Sequence, residues 1–350
     1  MVWEEEVLIG DASLLAFLIS LIFAYPLYRL LLRMKSRQTV SEYLPEHQRK
    51  QGTPTMGGLI IVAGCLAGFL YLIARSRPSS MPDSLRATEL IFVALMLLVG
   101  YGFIGFLDDF IVPRMTGKRG LGWKQKILLE AAFAGVAVGY LNDWRLGPAF
   151  WLGSFLVLFY SNAYNFADGL DGLAGSLLIA FGFGIAAIAQ LSGSSFEVTG
   201  LIAVMICASL PFLFMNAPPA RIFMGDVGSL PIGACLGLAV SEILTYRVEH
   251  YSNWMLTAGC LLLASFLMLA ELIPVPLQII WVKVFKRRLF PSTPIHHSFE
   301  AKGWPESKIV WTFGLVQLIA SSVAIYLFVR FDSPTEETSI RAKPSIGVLQ

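Results

Sequence analysis

The sequence is short of charged residues. Only 14% of its 350 residues are Asp, Glu, Lys or Arg, whereas 56% are hydrophobic, and the formal net charge at pH 7 is +2. So little charge cannot cover the surface of a large water-soluble protein, and the mean hydropathy of +0.67 is typical of a chain that lies in a bilayer. We therefore expect an integral membrane protein with the lipid bilayer as its surroundings and no nucleic-acid partner.

Cysteine is also scarce. The four cysteines, Cys65, Cys207, Cys235 and Cys260, all lie inside apolar segments and have neither metal-ligand spacing nor the pattern of a disulfide framework. This excludes a disulfide-stapled scaffold and a thiolate zinc site. We expect the four side chains to be buried packing residues.

Long apolar stretches are what the chain does have. About 20 apolar residues cross the hydrocarbon layer as a helix, because a helix satisfies all of its own backbone polar groups. The ninth stretch is too long for one straight span and contains Glu271 and the prolines Pro274 and Pro276, so we expect it to be bent or broken. The sequence thus predicts an all-α fold of about ten transmembrane helices, near residues 12–34, 57–74, 88–107, 126–141, 148–165, 173–191, 199–215, 228–245, 254–282 and 309–330.

Charge indicates how these helices are oriented. Lys and Arg are concentrated in the connections that follow the odd-numbered spans, which by the positive-inside rule face the cytoplasm. With ten spans, both termini then lie on the periplasmic side. The first residues carry three glutamates where a signal peptide needs basic residues, so we expect the first span to be retained. We expect one transmembrane domain over residues 1–330 and a polar, mobile tail over 331–350.

Polar residues collect in short motifs at the ends that this topology assigns to the cytoplasm. These motifs are RKQGTPTMGG (49–58), GFLDDF (105–110), KRGLGWKQK (118–126), NAYNFADGLDGLAG (162–175), NAPPARIFMGDVGS (216–229) and TPIHHSFEAKG (293–303). Groups crowded at one interface are typical of a reaction site, whereas an ion pathway needs ionisable groups through the depth of the bundle. The sequence therefore indicates an active site that faces the cytoplasm.

Five of the residues in these motifs are aspartates without a thiolate partner: Asp108, Asp109, Asp168, Asp171 and Asp226. Hard oxygen ligands of this kind favour Mg²⁺, with Mn²⁺ as an alternative, and crowded carboxylates repel one another unless a cation is present. Mg²⁺ commonly completes its shell with substrate phosphate oxygens. No Gly-Lys-Ser/Thr P-loop is present, so metal and basic side chains must bind the phosphate. The residues thus predict a metal-dependent enzyme for a phosphorylated substrate.

Two other interpretations stay open at this point. An aspartate before a helix is commonly only an N-cap, so Asp168, Asp171 or Asp226 could be structural. A secondary transporter would explain a broken helix and intramembrane acids, but it would place polar groups at the midplane of an inverted repeat, and the sequence has neither pattern. The role of Glu271 is left open.

In order and approximate spacing, the motifs GTPTMGG, GFLDDF, NAYNFADGLDGLAG, FMGDVGSL and TPIHHSFE resemble the phospho-N-acetylmuramoyl-pentapeptide transferases of the polyprenyl-phosphate N-acetylhexosamine-1-phosphate transferase superfamily. The resemblance runs from about residue 12 to 330. It implies a ten-helix, multi-pass enzyme of the bacterial inner membrane, expected as a homodimer. The implied reaction is Mg²⁺-dependent transfer of phospho-MurNAc-pentapeptide from UDP-MurNAc-pentapeptide to undecaprenyl phosphate, which gives lipid I and UMP in peptidoglycan synthesis.

The resemblance also implies roles for individual residues. Asp226 matches the metal ligand, Asp108 and Asp109 match the catalytic aspartate pair and are further candidate ligands with Asp168, and Phe223 matches the aromatic residue that stacks on uracil. His296 and His297 match the histidine motif and are candidate catalytic residues. The other candidate substrate-binding residues are Lys50, Lys118, Arg119, Asn165, Asp168, Asp171 and Asn216.

The chain departs from the family pattern at two positions. The family usually reads DDxxK, but Val112 stands where that lysine belongs, and Ser298 stands where a third histidine is usual. We expect Arg114 or Lys118 to replace the missing lysine in space. Asp108 or Asp109 could orient the acceptor, deprotonate it or form a covalent intermediate, and the sequence leaves these open. A GlcNAc-1-phosphate transferase on the same scaffold is the main alternative function.

Overall fold

The computed structural model describes residues 2–34, 52–75, 82–118, 120–194 and 196–332. Its α-helices are α1 (Val2–Arg33), α2 (Gly58–Arg75), α3 (Pro82–Phe106), α4 (Val112–Thr116), α5 (Trp123–Leu141), α6 (Pro148–Ala167), α7 (Leu173–Ser192), α8 (Phe196–Asn216), α9 (Asp226–His250), α10 (Trp254–Ala264), α11 (Phe266–Leu272), α12 (Pro274–Phe285), α13 (Ile295–Glu300) and α14 (Glu306–Phe331). The all-α fold is confirmed for this part of the chain. The tail from residue 333 onward lies outside the described residues.

Eight helical stretches of the described chain are long and apolar enough to cross a membrane, which makes this a membrane protein. They are Glu4–Arg33, Gly58–Arg75, Thr88–Thr116, Leu173–Ser192, Phe196–Asn216, Asp226–His250, Phe266–Phe285 and Glu306–Phe331. Helices α5 and α6 coincide with two further expected spans, at 126–141 and 148–165. The count of ten spans and the orientation of the termini stay predictions.

Close helix packing is made through glycines spaced four residues apart. In α9, a Cβ added at Gly233 or Gly237 would lie 2.5 Å from a backbone oxygen of α6, so the two helices meet backbone to backbone. In α2, Gly64 and Gly68 approach α1 in the same way. Without an aqueous driving force between helices, such small-residue contacts supply the packing.

The cysteines lie within this packing. All four are free, and Cys65, Cys235 and Cys260 are buried, as expected. Cys207 is only half-buried, because it lies on a face of α8 that the bundle covers incompletely.

The expected break of the ninth segment is confirmed. Helix α11 ends at Leu272 and α12 begins at Pro274, since a proline has no N–H to continue the ladder. A second break lies at Ser265 and was not predicted. There Gln317 of α14 accepts a hydrogen bond from the Leu267 N–H at 3.3 Å and donates to the Ala264 carbonyl at 2.5 Å. A side chain from a neighbouring helix thus satisfies the backbone groups that the break releases, as an apolar surrounding requires.

Candidate active site

Three carboxylates meet where α3 ends and α9 begins. Asp108 and Asp109 lie in a single π-helical turn, Leu107–Ile111, that follows α3, and Asp226 is the first residue of α9. Each offers one carboxylate oxygen, and these oxygens lie within 4.8 Å of one another. We call Asp108, Asp109 and Asp226 the aspartate group. A π-helical turn inside an α-helix is frequent at functional sites. Apart from the motif itself, nothing in the sequence indicates this turn.

Glycine makes this approach of backbones possible. A Cβ added at Gly105 of α3 would lie 2.3 Å from the Asp226 carbonyl, and one added at Gly58 of α2 would lie 2.3 Å from the Gly228 Cα. Gly225, just before α9, has φ of +72° and would place a Cβ 2.5 Å from Asp109 Oδ2. Larger residues at these positions would push Asp226 away from the other two carboxylates.

Neutral donors hold one oxygen of each carboxylate in the aspartate group. Asp108 Oδ1 accepts a hydrogen bond from the Leu121 N–H at 2.5 Å, and Asp109 Oδ2 accepts one from the Val227 N–H at 3.1 Å. Asp226 Oδ1 accepts one from Asn165 Nδ2 at 2.7 Å, and the same amide nitrogen reaches Ser229 at 2.8 Å. These donors fix the orientation of each carboxylate.

Lys126, on the first turn of α5, supplies the positive charge beside this group. Its ammonium donates to Asp226 Oδ2 and lies 3.9 Å from Asp108 Oδ2. Arg114, one of the two cations expected to replace the missing lysine, instead lies 4.3 Å over the Phe110 ring and donates to the Met34 carbonyl at 3.0 Å. Lys118 is exposed. Lys126 was not among the predicted site residues, although it ends the polar motif 118–126 at the edge of an apolar segment, which was a usable signal.

The loop between α6 and α7, residues 168–172, is held by hydrogen bonds between side chains and backbone N–H groups. Asp171 is 3% exposed, and its Oδ2 accepts a hydrogen bond from the Ala220 N–H at 2.9 Å. Asn216 is 2% exposed, accepts from the Gly172 N–H at 2.9 Å and donates to the Ile222 carbonyl at 2.8 Å. These two side chains therefore join the 168–172 loop to the 217–225 loop.

Asp168 lies on the side of this loop that faces the aspartate group. Although it is only half-buried as a residue, loss of solvent and the nearby charges of Asp226 and Asp109 raise the pKa of its carboxyl well above its ordinary value. The nearby Gly225 N–H opposes part of this rise in pKa. In the described chain, Asp168 is outside the set of oxygens that meet within 4.8 Å.

The histidine motif packs against the same loop, since a Cβ added at Gly169 would lie 2.2 Å from His296 Nε2. His296 of α13 is fully buried, with Nδ1 2.9 Å from Oε2 of the equally buried Glu271, so the intramembrane glutamate orients this ring. His297 Nδ1 lies 2.5 Å from Glu300 Oε2. The Ser298 hydroxyl donates to the Ser292 carbonyl at 2.6 Å and accepts from the Ser292 N–H at 3.1 Å. The residue in place of a third histidine therefore stabilises the turn before α13.

The remaining candidates are less completely described. Phe223 is half-buried, and its backbone joins the segment before α2 through hydrogen bonds with Pro54 and Gly57. Lys50 and Arg119 lie outside the described residues.

The donor set of the aspartate group fits a divalent cation. It consists of carboxylate oxygens alone, its charge exceeds that of the Lys126 ammonium, and that ammonium already occupies a place where a cation is stabilised. Oxygen-only sites of this kind suit Mg²⁺ or Mn²⁺.

Comparison with known proteins agrees with this arrangement. Residues 91–243 match the glycosyl transferase family 4, and residues 50–62 match the phospho-N-acetylmuramoyl-pentapeptide-transferase signature 1. The chain is 35% identical to the phospho-N-acetylmuramoyl-pentapeptide-transferase of Halalkalibacterium halodurans, over 90% of this chain and 95% of the relative. For the enzyme of that name from Geobacillus kaustophilus the values are 34%, 93% and 98%. By this likeness along nearly its whole length, the chain belongs to the phospho-N-acetylmuramoyl-pentapeptide-transferase family.

Proposed function

We propose that the protein transfers phospho-MurNAc-pentapeptide from UDP-MurNAc-pentapeptide to undecaprenyl phosphate and thereby forms lipid I and UMP. The aspartate group at the end of a membrane bundle, in a chain of this family, carries the proposal. The distribution of Lys and Arg supports a site on the cytoplasmic face of the bacterial inner membrane. The enzyme is expected to act as a homodimer that requires Mg²⁺.

The reaction requires little covalent chemistry from the protein itself. An oxygen of undecaprenyl phosphate attacks the β-phosphorus of the UDP-linked substrate, the bond to the bridging oxygen breaks, and UMP leaves. The acceptor phosphate is already anionic near neutral pH, so there is little proton for a base to remove. What the site must supply is orientation and stabilisation of negative charge on the phosphate oxygens.

Asp108, Asp109 and Asp226 would hold the divalent cation, which when bound neutralises charge on the reacting phosphates. Asn165 and the N–H groups of Leu121 and Val227 fix the orientation of these carboxylates, so little reorganisation is needed when a substrate arrives. Lys126 adds a positive charge beside the group.

The other candidate residues surround this centre. We assign uracil stacking to Phe223, the phosphate chain to Lys50, Lys118 and Arg119, and contacts to the sugar and nucleotide to Asn165, Asp168 and the histidines His296 and His297. The hydrogen bonds of Asp171 and Asn216 favour a role in holding the two loops in place for the substrate.

A radiolabel assay with the purified protein tests the proposal. UDP-MurNAc-pentapeptide and UDP-GlcNAc are offered separately with undecaprenyl phosphate and Mg²⁺, and lipid-linked product is separated from the nucleotide. We expect product from the first donor only. Lipid-linked GlcNAc as the only product would assign the alternative function, and no product from either donor would contradict both.

A further inference from the structure

A second buried acid lies one helical turn beyond Lys126. Glu130 of α5 is fully buried, and Asn162 Nδ2 donates to its Oε2 at 2.6 Å. Its Oε1 is buried and has no hydrogen-bond partner among the described residues. A buried carboxylate oxygen without a partner is costly in an apolar surrounding, so its retention calls for an explanation.

The neighbours of Glu130 suggest what reaches that oxygen. Residues four apart on a helix face the same side, with Cβ atoms about 6 Å apart, so Lys126 and Glu130 are neighbours on α5. Glu130 also interacts electrostatically with Lys126, Asp226 and Asp108. The Lys126 ammonium therefore lies between two acidic groups, the aspartate group and the Glu130 carboxyl.

The Lys126 ammonium and a divalent cation would compete for the Asp226 carboxylate. Lys126 donates to Asp226 Oδ2, while the other oxygen of Asp226 is held by Asn165. A cation that binds Asp226 through Oδ2 would therefore take the place of the ammonium. An ammonium pushed into an apolar interior without a counter-charge would oppose that binding.

We propose that Glu130 is a positioning residue that receives the Lys126 ammonium when a divalent cation binds the aspartate group. The cation and the ammonium then exchange places, and Glu130 is the residue that makes the exchange favourable. This inference rests on the proposed function only in that it takes the aspartate group to be the cation site.

Binding of Mn²⁺ to the full-length protein in detergent, followed by the EPR signal of free Mn²⁺, measures the effect without any transfer assay. The Glu130→Gln variant keeps an acceptor for Asn162 but has no charge for the ammonium. We expect its Kd for Mn²⁺ to rise by at least about fivefold, the lower end of usual coupling between two sites. In a Lys126→Met background, Glu130→Gln should change the Kd by less than about twofold, because no ammonium is left to receive.

Glu242→Gln is the matched control. It removes another buried carboxylate, on α9 and about 24 Å along the helix from Asp226, and should leave the Kd unchanged. Thermal melting checks that each variant is folded, and Glu130→Met, which needs no hydrogen bond, replaces the amide variant if that fails to fold.

The outcomes separate the two proposals. If the wild-type protein binds no Mn²⁺, the cation site itself is wrong, and this inference with it. If it binds Mn²⁺ and Glu130→Gln binds equally well, only the role of Glu130 is wrong. An effect that persists in the Lys126→Met background means that Glu130 acts on the ion directly, which also overturns the exchange.

Discussion

The contact between Gly169 and His296 provides the sharpest test of the site. A Cβ added at Gly169 would lie 2.2 Å from His296 Nε2 and 2.6 Å from the adjacent ring carbon. Gly169 does not adopt a positive φ, so alanine suits its backbone. The Gly169→Ala variant therefore tests the contact with His296.

The sign of the effect follows from that contact. At a site with room for a methyl group, Gly→Ala stabilises a protein by about 0.4–1 kcal/mol, because the unfolded chain loses freedom. Next to Gly169, the His296 side chain has little space to move away. Its ring is hydrogen-bonded to Glu271 at 2.9 Å, and its centroid lies 4.1 Å from that of the His297 ring. Forcing a methyl group into a packed site costs about 1–3 kcal/mol. We expect net destabilisation of this size, and a fall in kcat/KM of at least about fivefold as the 168–172 loop shifts.

Thermal unfolding of the purified protein and the radiolabel transfer assay measure the two effects. Gly259→Ala is the control, because a Cβ at Gly259 in α10 meets nothing within 4 Å, and it should be neutral or slightly stabilising. In a His296→Ala background the clash is removed, so Gly169→Ala should lose its penalty in melting temperature. An equal penalty in both backgrounds, or none in the wild type, would refute the packing of the histidine motif on this loop.

Three further predictions concern the carboxylates and the topology. Asp226→Asn should abolish turnover at ordinary Mg²⁺ concentrations while melting stays near wild type, because the amide keeps the size and loses the charge; normal rates would show that Asp226 is only a helix-start residue. Asp171→Ala should lower stability by about 1–3 kcal/mol, because the Ala220 N–H is left unpaired, whereas Asp171→Asn keeps an acceptor and should melt near wild type. Equal melting of those two variants would contradict the joining role. In a cysteine-free background, an impermeant maleimide should label Arg145→Cys but not Thr116→Cys in intact cells, since both residues are exposed and the charge bias puts them on opposite sides. The reverse labelling would invert the topology.

Hydropathy and proline were sufficient to predict the all-α fold and the break at Pro274. An apolar stretch in lipid must satisfy its own backbone hydrogen bonds, so its length alone indicates a helix. The effect of Pro274 is also local, because a proline lacks the N–H donor whatever packs around it. The break at Ser265 has no such local cause. It depends on Gln317, which lies 50 residues away from Leu267 in sequence and becomes a neighbour only when α14 packs beside α11.

The same limit applies to the candidate site. The motifs located the aspartates, but a motif cannot separate a carboxylate that faces a cation from one that holds a loop. Asp171 differs from Asp226 because its oxygen meets a backbone N–H from the 217–225 loop, which is a tertiary contact. Likewise, Glu271 was left without a role because its partner His296 lies 25 residues further along the chain.

Val112 stands where the family usually has a lysine. A lysine missing from a local motif removes a charge from the sequence pattern, yet the aspartate group still has an ammonium beside it, supplied by Lys126 from a different helix. Electrostatic stabilisation depends on the distance between charges and on the local dielectric, and it is indifferent to the segment that supplies the charge. The departure at Val112 is therefore compatible with an active enzyme. It also gives Lys126 a larger role, because the same ammonium neutralises the aspartate group and, in the proposed exchange, leaves Asp226 when a cation binds. Glu130 lies buried one turn away on the same face of α5, where the proposed exchange needs an acid to receive the ammonium.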